Sequence, residues 1–332
     1  MEKEIRSDFE FAESTFYEHH DIIQSHPNFI RDVWSRFTKK RGAKYAFFAI
    51  AFIIFLAIVA PMLSSHTYQS QIVEHANVVP RIPLLENLGI FDGTKYNVNM
   101  YQERGITGYY FFGTDTMGRD QWVRVWEGTR VSLYMAFLAI IIDLIIGVTY
   151  GLVSGYYGGK VDMVMQRFIE ILNGVPDTVI VTLLVLLLRP GVVSITIALI
   201  IKGWIGMSRV TRAQVLRLKE QEFVMASKTL GSSDKTIILK EILPNIIGQL
   251  IIMSMFSIPS AIFTEAFLAF IGLGLQPPQA SLGVLINEGF KSFLVSPYLV
   301  IVPTVVLSII MFSFNILADG LRDAFDPTMK DR

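Results

Sequence analysis

The sequence has no cysteine. This excludes a disulfide, a thiolate-bound metal and an iron–sulfur cluster within the chain. Neither sign of charge is in excess, with 29 Lys and Arg against 29 Asp and Glu. Net charge therefore argues for no partner class, and nucleic acid is not an expected partner. A phosphate-cradling loop is also missing: Gly89 to Lys95 has the wrong glycine spacing and a Gly-Thr-Lys order. No His, Ser or carboxylate arrangement suits a nucleophile, so a membrane hydrolase is unsupported and covalent chemistry is not expected here. Of five histidines, none falls in an apolar run. His19, His20 and His26 lack ligand spacing and read as part of a solvated tail. Apolar sequence is what abounds: 52% of residues are hydrophobic and mean hydropathy is +0.47. That composition indicates a polytopic membrane protein.

The chain divides by hydropathy. Residues 1–44 read as a polar tail and an amphipathic helix, with Asn28 a plausible N-cap. In it Phe29, Ile30, Val33, Trp34 and Phe37 share one face amid Arg31, Arg36, Lys39 and Lys40. This pattern predicts an interfacial helix on an anionic leaflet of membrane lipid. A first span follows at 45–63, read as an uncleaved anchor. Residues 64–130 have no long apolar run and must lie outside the bilayer. Residues 131–317 then hold five spans, roughly Val131–Ser154, Met163–Leu188, Gly191–Ser208, Ile246–Leu275 and Tyr298–Leu317, and 318–332 form a tail. Lysines and arginines concentrate before the first span, in 209–245 and after the sixth, which predicts that these segments and both termini are cytoplasmic.

The polar island Gln221–Asn245, inside the 209–245 loop, organises the rest. It reads as a short helix, a break at Gly231 and a second helix halted by Pro244. Small Ala226 and Ser227 leave room for a partner surface, with Phe223 and Leu230 as apolar anchors. Gly231 permits a left-handed turn, and Ser232-Ser233-Asp234 can cap the next helix. Pro244 disfavours helical geometry at Leu243. On the second span, Gly147, Gly151 and Gly155 recur every four residues and allow close helix approach. Asp143 and Lys202 each lie roughly 15–18 Å deep by helix rise. A lone charge there is costly, so an ion pair between them is the first expectation, and a shared polar cavity the second. Glu265 reads as a buried packing hydrogen bond. Pro176-Asp177 marks a break whose freed carbonyls should face protein or cavity.

Several motifs together resemble one family. They are Phe112-Gly113-Thr114-Asp115 with Gly118-Arg119-Asp120, Gly155-Tyr156-Tyr157-Gly158-Gly159, and Gly203-Trp204. Arg212-Ala213-Gln214-Val215 and Met225-Ala226-Ser227, with Gly231 and Leu243-Pro244, continue the series. Thr264-Glu265-Ala266, Gly272-Leu273-Gly274 with Pro277-Pro278, and Leu321-Arg322-Asp323-Ala324 with Asp326-Pro327 complete it. From about Phe112 to Pro327 the chain resembles the oligopeptide/dipeptide/nickel permeases of ABC importers, in their OppC/DppC-type subunit. It departs from the pattern at Met225, where the EAA loop has glutamate, and at Leu282, where an aromatic often precedes Gly283.

The resemblance implies an all-α fold of six transmembrane helices, the type I importer permease fold, in a prokaryotic cell membrane. It implies a second homologous permease, an extracytoplasmic peptide-binding protein, and two cytoplasmic ATPases that carry ATP and magnesium; this chain would hold no cofactor. It assigns ATPase coupling to Glu222, Phe223, Ala226, Ser227, Leu230, Gly231, Leu243 and Pro244. Asp143, Lys202 and Glu265 become candidates for the translocation pathway. Nickel or metallophore uptake and an ion-coupled secondary carrier are the alternatives.

Overall fold

The computed structural model describes residues 29–83 and 85–325. The expectations for His19, His20, His26, Asn28 and Asp326-Pro327 lie outside them. Among the described residues five helices are long and apolar enough to cross a bilayer, and a sharply bent helix pair has the length and composition of a sixth when its two halves are taken together.

Helix α1 (Phe29–Lys39) leads into α2 (Arg41–Val59). Ala43, Ala46, Ile50, Ile53 and Ala57 are the buried residues of α2. Their three- and four-residue spacing makes one stripe, while Phe47, Phe48, Phe52 and Phe55 stay exposed on the apolar outer face. Phe37 of α1 is buried with Ala43 and Ala324, and Val33, Leu317 and Leu321 pack around them. So the face expected to lie on lipid partly covers the last helix instead; Trp34 remains exposed.

Residues 64–120 contain only short elements, among them a hairpin of β1 (Thr94–Lys95) and β2 (Val98–Asn99), and α3 (Met100–Glu103). Val78, Tyr101, Ile106 and Tyr110 give this segment a small core of its own. Tyr298 donates to the carbonyls of Val78 (3.0 Å) and Thr114 (2.8 Å), tying the segment to the bundle.

Helix α4 (Gln121–Ile142) begins ten residues before the expected Val131. Asp120 caps it, accepting from Trp122 N at 2.9 Å. The helix runs through a π segment, Asp143–Gly147, into α5 (Val148–Tyr157). Next come α6 (Gly159–Gly174) and α7 (Asp177–Leu188), bent by 74° at the Val175-Pro176 break. Helix α8 (Val192–Ala198), a π segment at Leu199–Gly203 and α9 (Ile205–Leu218) form the fourth span. The glycine stripe packs as its spacing predicts. A Cβ on Gly151 would sit 2.5 Å from Ser208 O and from Thr211 Cβ; one on Gly147 or Gly155 would sit 2.8 Å from Met207 Cβ or Val215 Cβ. Thus α4–α5 and α9 are locked backbone to backbone.

The polar loop carries α10 (Glu222–Thr229) and α11 (Asp234–Thr236). Here one expectation fails. Pro244 does not halt the second helix, and Leu243 is helical at φ −57° and ψ −45°. The helix continues from α11 through a π segment at Ile237–Ile242 into α12 (Leu243–Phe270). Pro244 sits in the first turn of α12. A π turn shifts the hydrogen-bond register, so a missing N–H at that step interrupts no regular ladder.

Between α12 and the last long helix, α13 (Leu282–Lys291) occupies the segment that separates the expected spans Ile246–Leu275 and Tyr298–Leu317. Leu282 is fully buried among Val125, Trp126 and Ile262, so an aliphatic residue fills the place expected for an aromatic. A Cβ on Gly283 would lie 2.4 Å from Ala266 Cα, which brings α13 directly onto α12. Helix α14 (Tyr298–Phe325) runs back past the expected end at Leu317 and meets α1, α2 and the start of α12. The end of the bundle holding α10 and the close of α14 is called the loop end below, and the opposite end the far end.

Candidate coupling loop and cavity

At the loop end, α10 closes in a Schellman motif. Gly231 N donates to Lys228 O (3.1 Å) and Ser232 N to Ser227 O (3.1 Å), with Gly231 at φ +83°. The left-handed turn expected of Gly231 is present. Ser233 then caps α11, accepting from Thr236 N at 3.3 Å. Val224 is buried with Val215, Ile237 and Ile242, so a single apolar side chain anchors α10 from beneath. Tyr156 donates to Asp234 at 2.8 Å and fastens the second half of the loop to α5. The outward surface consists of Glu222, Phe223, Met225, Ala226, Leu230, Gly231 and Pro244, all exposed, with Ser227 half-buried and Leu243 tucked inward. Leu230 is 86% exposed, Met225 53% and Phe223 42%, so three large apolar side chains of this loop remain uncovered.

One ion pair near this end was not legible in the sequence. Arg212 grips Asp162 with two nitrogens, at 2.6 and 2.5 Å, and joins α9 to α6. The family-like Arg212-Ala213-Gln214-Val215 motif was the available signal, but nothing in it names Asp162.

Midway along the bundle lies a cavity of about 510 Å³. Asp143, Lys202 and Glu265 all contribute to its wall, together with Asp177 and Arg209. The shared cavity is therefore present, but the expected Asp143–Lys202 pair is not. Lys202 pairs with Asp177 and donates to Val175 O at 2.7 Å. The 74° bend explains the exchange of partners. It frees a carbonyl beside Pro176 and brings the first carboxylate of α7 to the lysine, so one ammonium satisfies both. Asp143 is 4% exposed and is hydrogen-bonded to Ser257. Glu265, 2% exposed, accepts from Ser132 at 3.2 Å and is also bonded to Ser281, which makes it a clasp among α4, α12 and the start of α13.

At the far end the Phe112–Asp120 signature is a brace. Asp115 accepts from Met117 N and Arg119 N, each at 2.9 Å. Its carboxylate also pairs with Arg119 (2.5 Å) and Arg124 (2.7 Å), and both arginines reach Glu288 of α13, at 3.0 and 2.8 Å. Burial raises the Asp120 carboxyl above its ordinary value, against hydrogen bonds from Ser64 and Trp122 N. Burial likewise pushes the Tyr110 phenol up to about 12. The imidazole of His75, 2.7 Å from Tyr110 Oη, is lowered by burial and by nearby His66 and Arg104, with Glu74 opposing.

Known proteins agree with this architecture. A family model described as "Binding-protein-dependent transport system inner membrane component" matches residues 147–331. Another, "N-terminal TM domain of oligopeptide transport permease C", matches residues 28–83. The chain is 44% identical to the dipeptide transport system permease protein DppC of Lactococcus lactis subsp. cremoris, over 90% of this chain and 91% of that protein. It is 37% identical to the oligopeptide transport system permease protein OppC of Bacillus subtilis, over 90% of each. Among solved structures, the MetNI methionine ABC transporter in an inward-facing form gives a TM-score of 0.50 at 17% identity, covering 61% of this chain and 95% of that one. At that identity the likeness speaks for the fold alone. The chain belongs to the family of binding-protein-dependent transport system inner membrane components, as a multi-pass permease subunit.

Proposed function

We propose that this chain forms half of the translocation pathway of an ATP-driven importer of peptides. The observation that carries the cargo is its likeness, at 37–44% identity over nine-tenths of the chain, to permeases named for dipeptides and oligopeptides. The cavity supports it, because its wall mixes apolar surface with both signs of charge, as a peptide backbone with charged ends requires. Free nickel would instead need clustered ligands. Glu265 touches Ser132, eleven residues from Asp143 along one helix, and Asp143 touches Ser257, eight residues from Glu265 along another, so the two deep carboxyls stand about 12–16 Å apart.

In this reading the far end, with 64–130 and 276–297, faces outward and receives a peptide-binding protein. The loop end, both termini and the 318–332 tail face the cytoplasm. Helix α1 lies at the lipid surface with Trp34 in the interface. Two ATPases, loaded with ATP and magnesium, dock on the exposed surface of Gln221–Asn245. A homologous permease closes the cavity from the other side. Nucleotide-driven closure moves the loop. The locked unit of α4–α5 and α9 carries that motion to the π segments beside the cavity, which alternates between the two faces. Membership of a binding-protein-dependent family disfavours an ion-coupled carrier.

The test is reconstitution of this chain with the neighbouring permease, ATPases and binding protein in proteoliposomes. Uptake of labelled di- to pentapeptides that requires ATP is the expected result. Uptake of nickel without peptide, or peptide uptake driven by a proton gradient without ATP, would overturn the reading.

A further inference from the structure

We propose that Asp143 receives the free α-ammonium of the peptide, so that the cavity reads the amino end of its cargo at one fixed carboxylate. This rests on the peptide reading above. The charge inventory of the cavity comes first. Its wall holds three carboxyls, Asp143, Asp177 and Glu265, against two cations, Lys202 and Arg209. Lys202 is committed to Asp177 and to the Val175 carbonyl, and it serves the bend of α6–α7 rather than an incoming ligand. Among the described residues no cation pairs with Asp143, whose carboxyl has a serine hydroxyl for company. A carboxylate held in an apolar bundle without a counter-charge gains most from a mobile cation that can donate hydrogen bonds.

Local structure points the same way. Asp143 opens the π segment Asp143–Gly147, and Leu199, Lys202 and Gly203 of the second π segment line the same cavity. Wide turns of this kind re-aim side chains and recur at functional sites. Glu265 is not equivalent. Two serines from different segments already hold it, and it stands about 12–16 Å from Asp143 along the helices. The two carboxyls cannot clasp one ion; each acts singly, which suits a monovalent ammonium. Asp143 is thus a specificity-determining residue, and peptides with a blocked amino end lose its contact.

The experiment uses the assembled transporter in proteoliposomes with alanyl-alanine as the probe. A zero-length carbodiimide joins a carboxylate to an amine in contact with it, forming an amide while the reagent takes up water and leaves as its urea. The expected adduct maps to the proteolytic fragment containing Asp143. It is absent with N-acetyl-alanyl-alanine and absent in Asp143→Asn. Initial uptake of alanyl-alanine at saturating binding protein falls about 10- to 150-fold in Asp143→Asn, the loss expected for one hydrogen bond to a charged group, and recovers in Asp143→Glu. Ser257→Ala keeps the carboxylate and keeps most of the uptake; a purely helix-joining role for Asp143 would make it as damaging as Asp143→Asn. An adduct confined to the Glu265 fragment, or none under conditions of normal uptake, overturns the proposal and leaves the peptide reading intact. Absence of any peptide uptake by the wild-type complex overturns the peptide reading itself.

Discussion

Replacing Gly231 with valine tests the coupling loop at its most constrained point. Gly231 has φ +83°, and no atom lies within 4 Å of a Cβ built there. The penalty is therefore in the backbone and not in packing within this chain. A left-handed conformation costs an L residue about 1–2 kcal/mol, more for a β-branched one. If the turn opens to avoid it, the bonds from Gly231 N and Ser232 N are lost, at about 0.5–1.5 kcal/mol each. Either route takes at least about 1–2 kcal/mol from the loop geometry, a 5- to 30-fold drop in the ratio of formed to opened turn. Val224 and the spans beneath are untouched, so membrane insertion and yield stay at wild-type levels. Co-purification of the ATPase and peptide uptake are the assays, and both fall, by up to that 5- to 30-fold factor. Gly231→Asn, which tolerates the left-handed region, retains most activity. Wild-type uptake in Gly231→Val would refute the reasoning, as would equal loss in the asparagine and valine variants.

Other outcomes follow from the same geometry. Lys202→Met releases the Val175 carbonyl and Asp177, a loss of about 1.5–3 kcal/mol at the bend; uptake falls while Lys202→Arg keeps it, and unimpaired uptake in the methionine variant would remove the strap from the mechanism. Gly151→Leu drives a side chain into Ser208 O and Thr211 and lowers the melting temperature of the detergent-solubilised protein, with overpacking of about 1–3 kcal/mol. His75 titrates below its ordinary value of 6.5 in the folded chain. The unfolded segment therefore binds more protons between the folded value and 6.5, and stability declines as pH falls through that window. Hydrogen-exchange protection in residues 64–120, taken relative to the intrinsic rate at each pH, falls on acidification across it, and His75→Gln flattens that dependence.

How much was legible depends on whether a residue acts on its own helix or on a distant one. Apolar runs, the Gly147–Gly155 stripe, the turn at Gly231 and the break at Pro176 are local properties, and the structure shows each. Pro244 was misread because a π turn and a helix stop look alike in one dimension: both tolerate a missing N–H. Helix α13 was hidden because ten residues with two glycines carry no spanning signal, and its burial comes from Gly283 against Ala266. Partner choice was least legible. Depth along the spans placed Asp143 and Lys202 at one level, which is true of their cavity, but depth says nothing about bends. The 74° turn at the α6–α7 break sends the lysine to Asp177. That exchange changes the chemistry of the site: it takes away the cation expected to neutralise Asp143 and leaves Ser257 as its hydrogen-bond partner, the arrangement on which the proposed ammonium site rests.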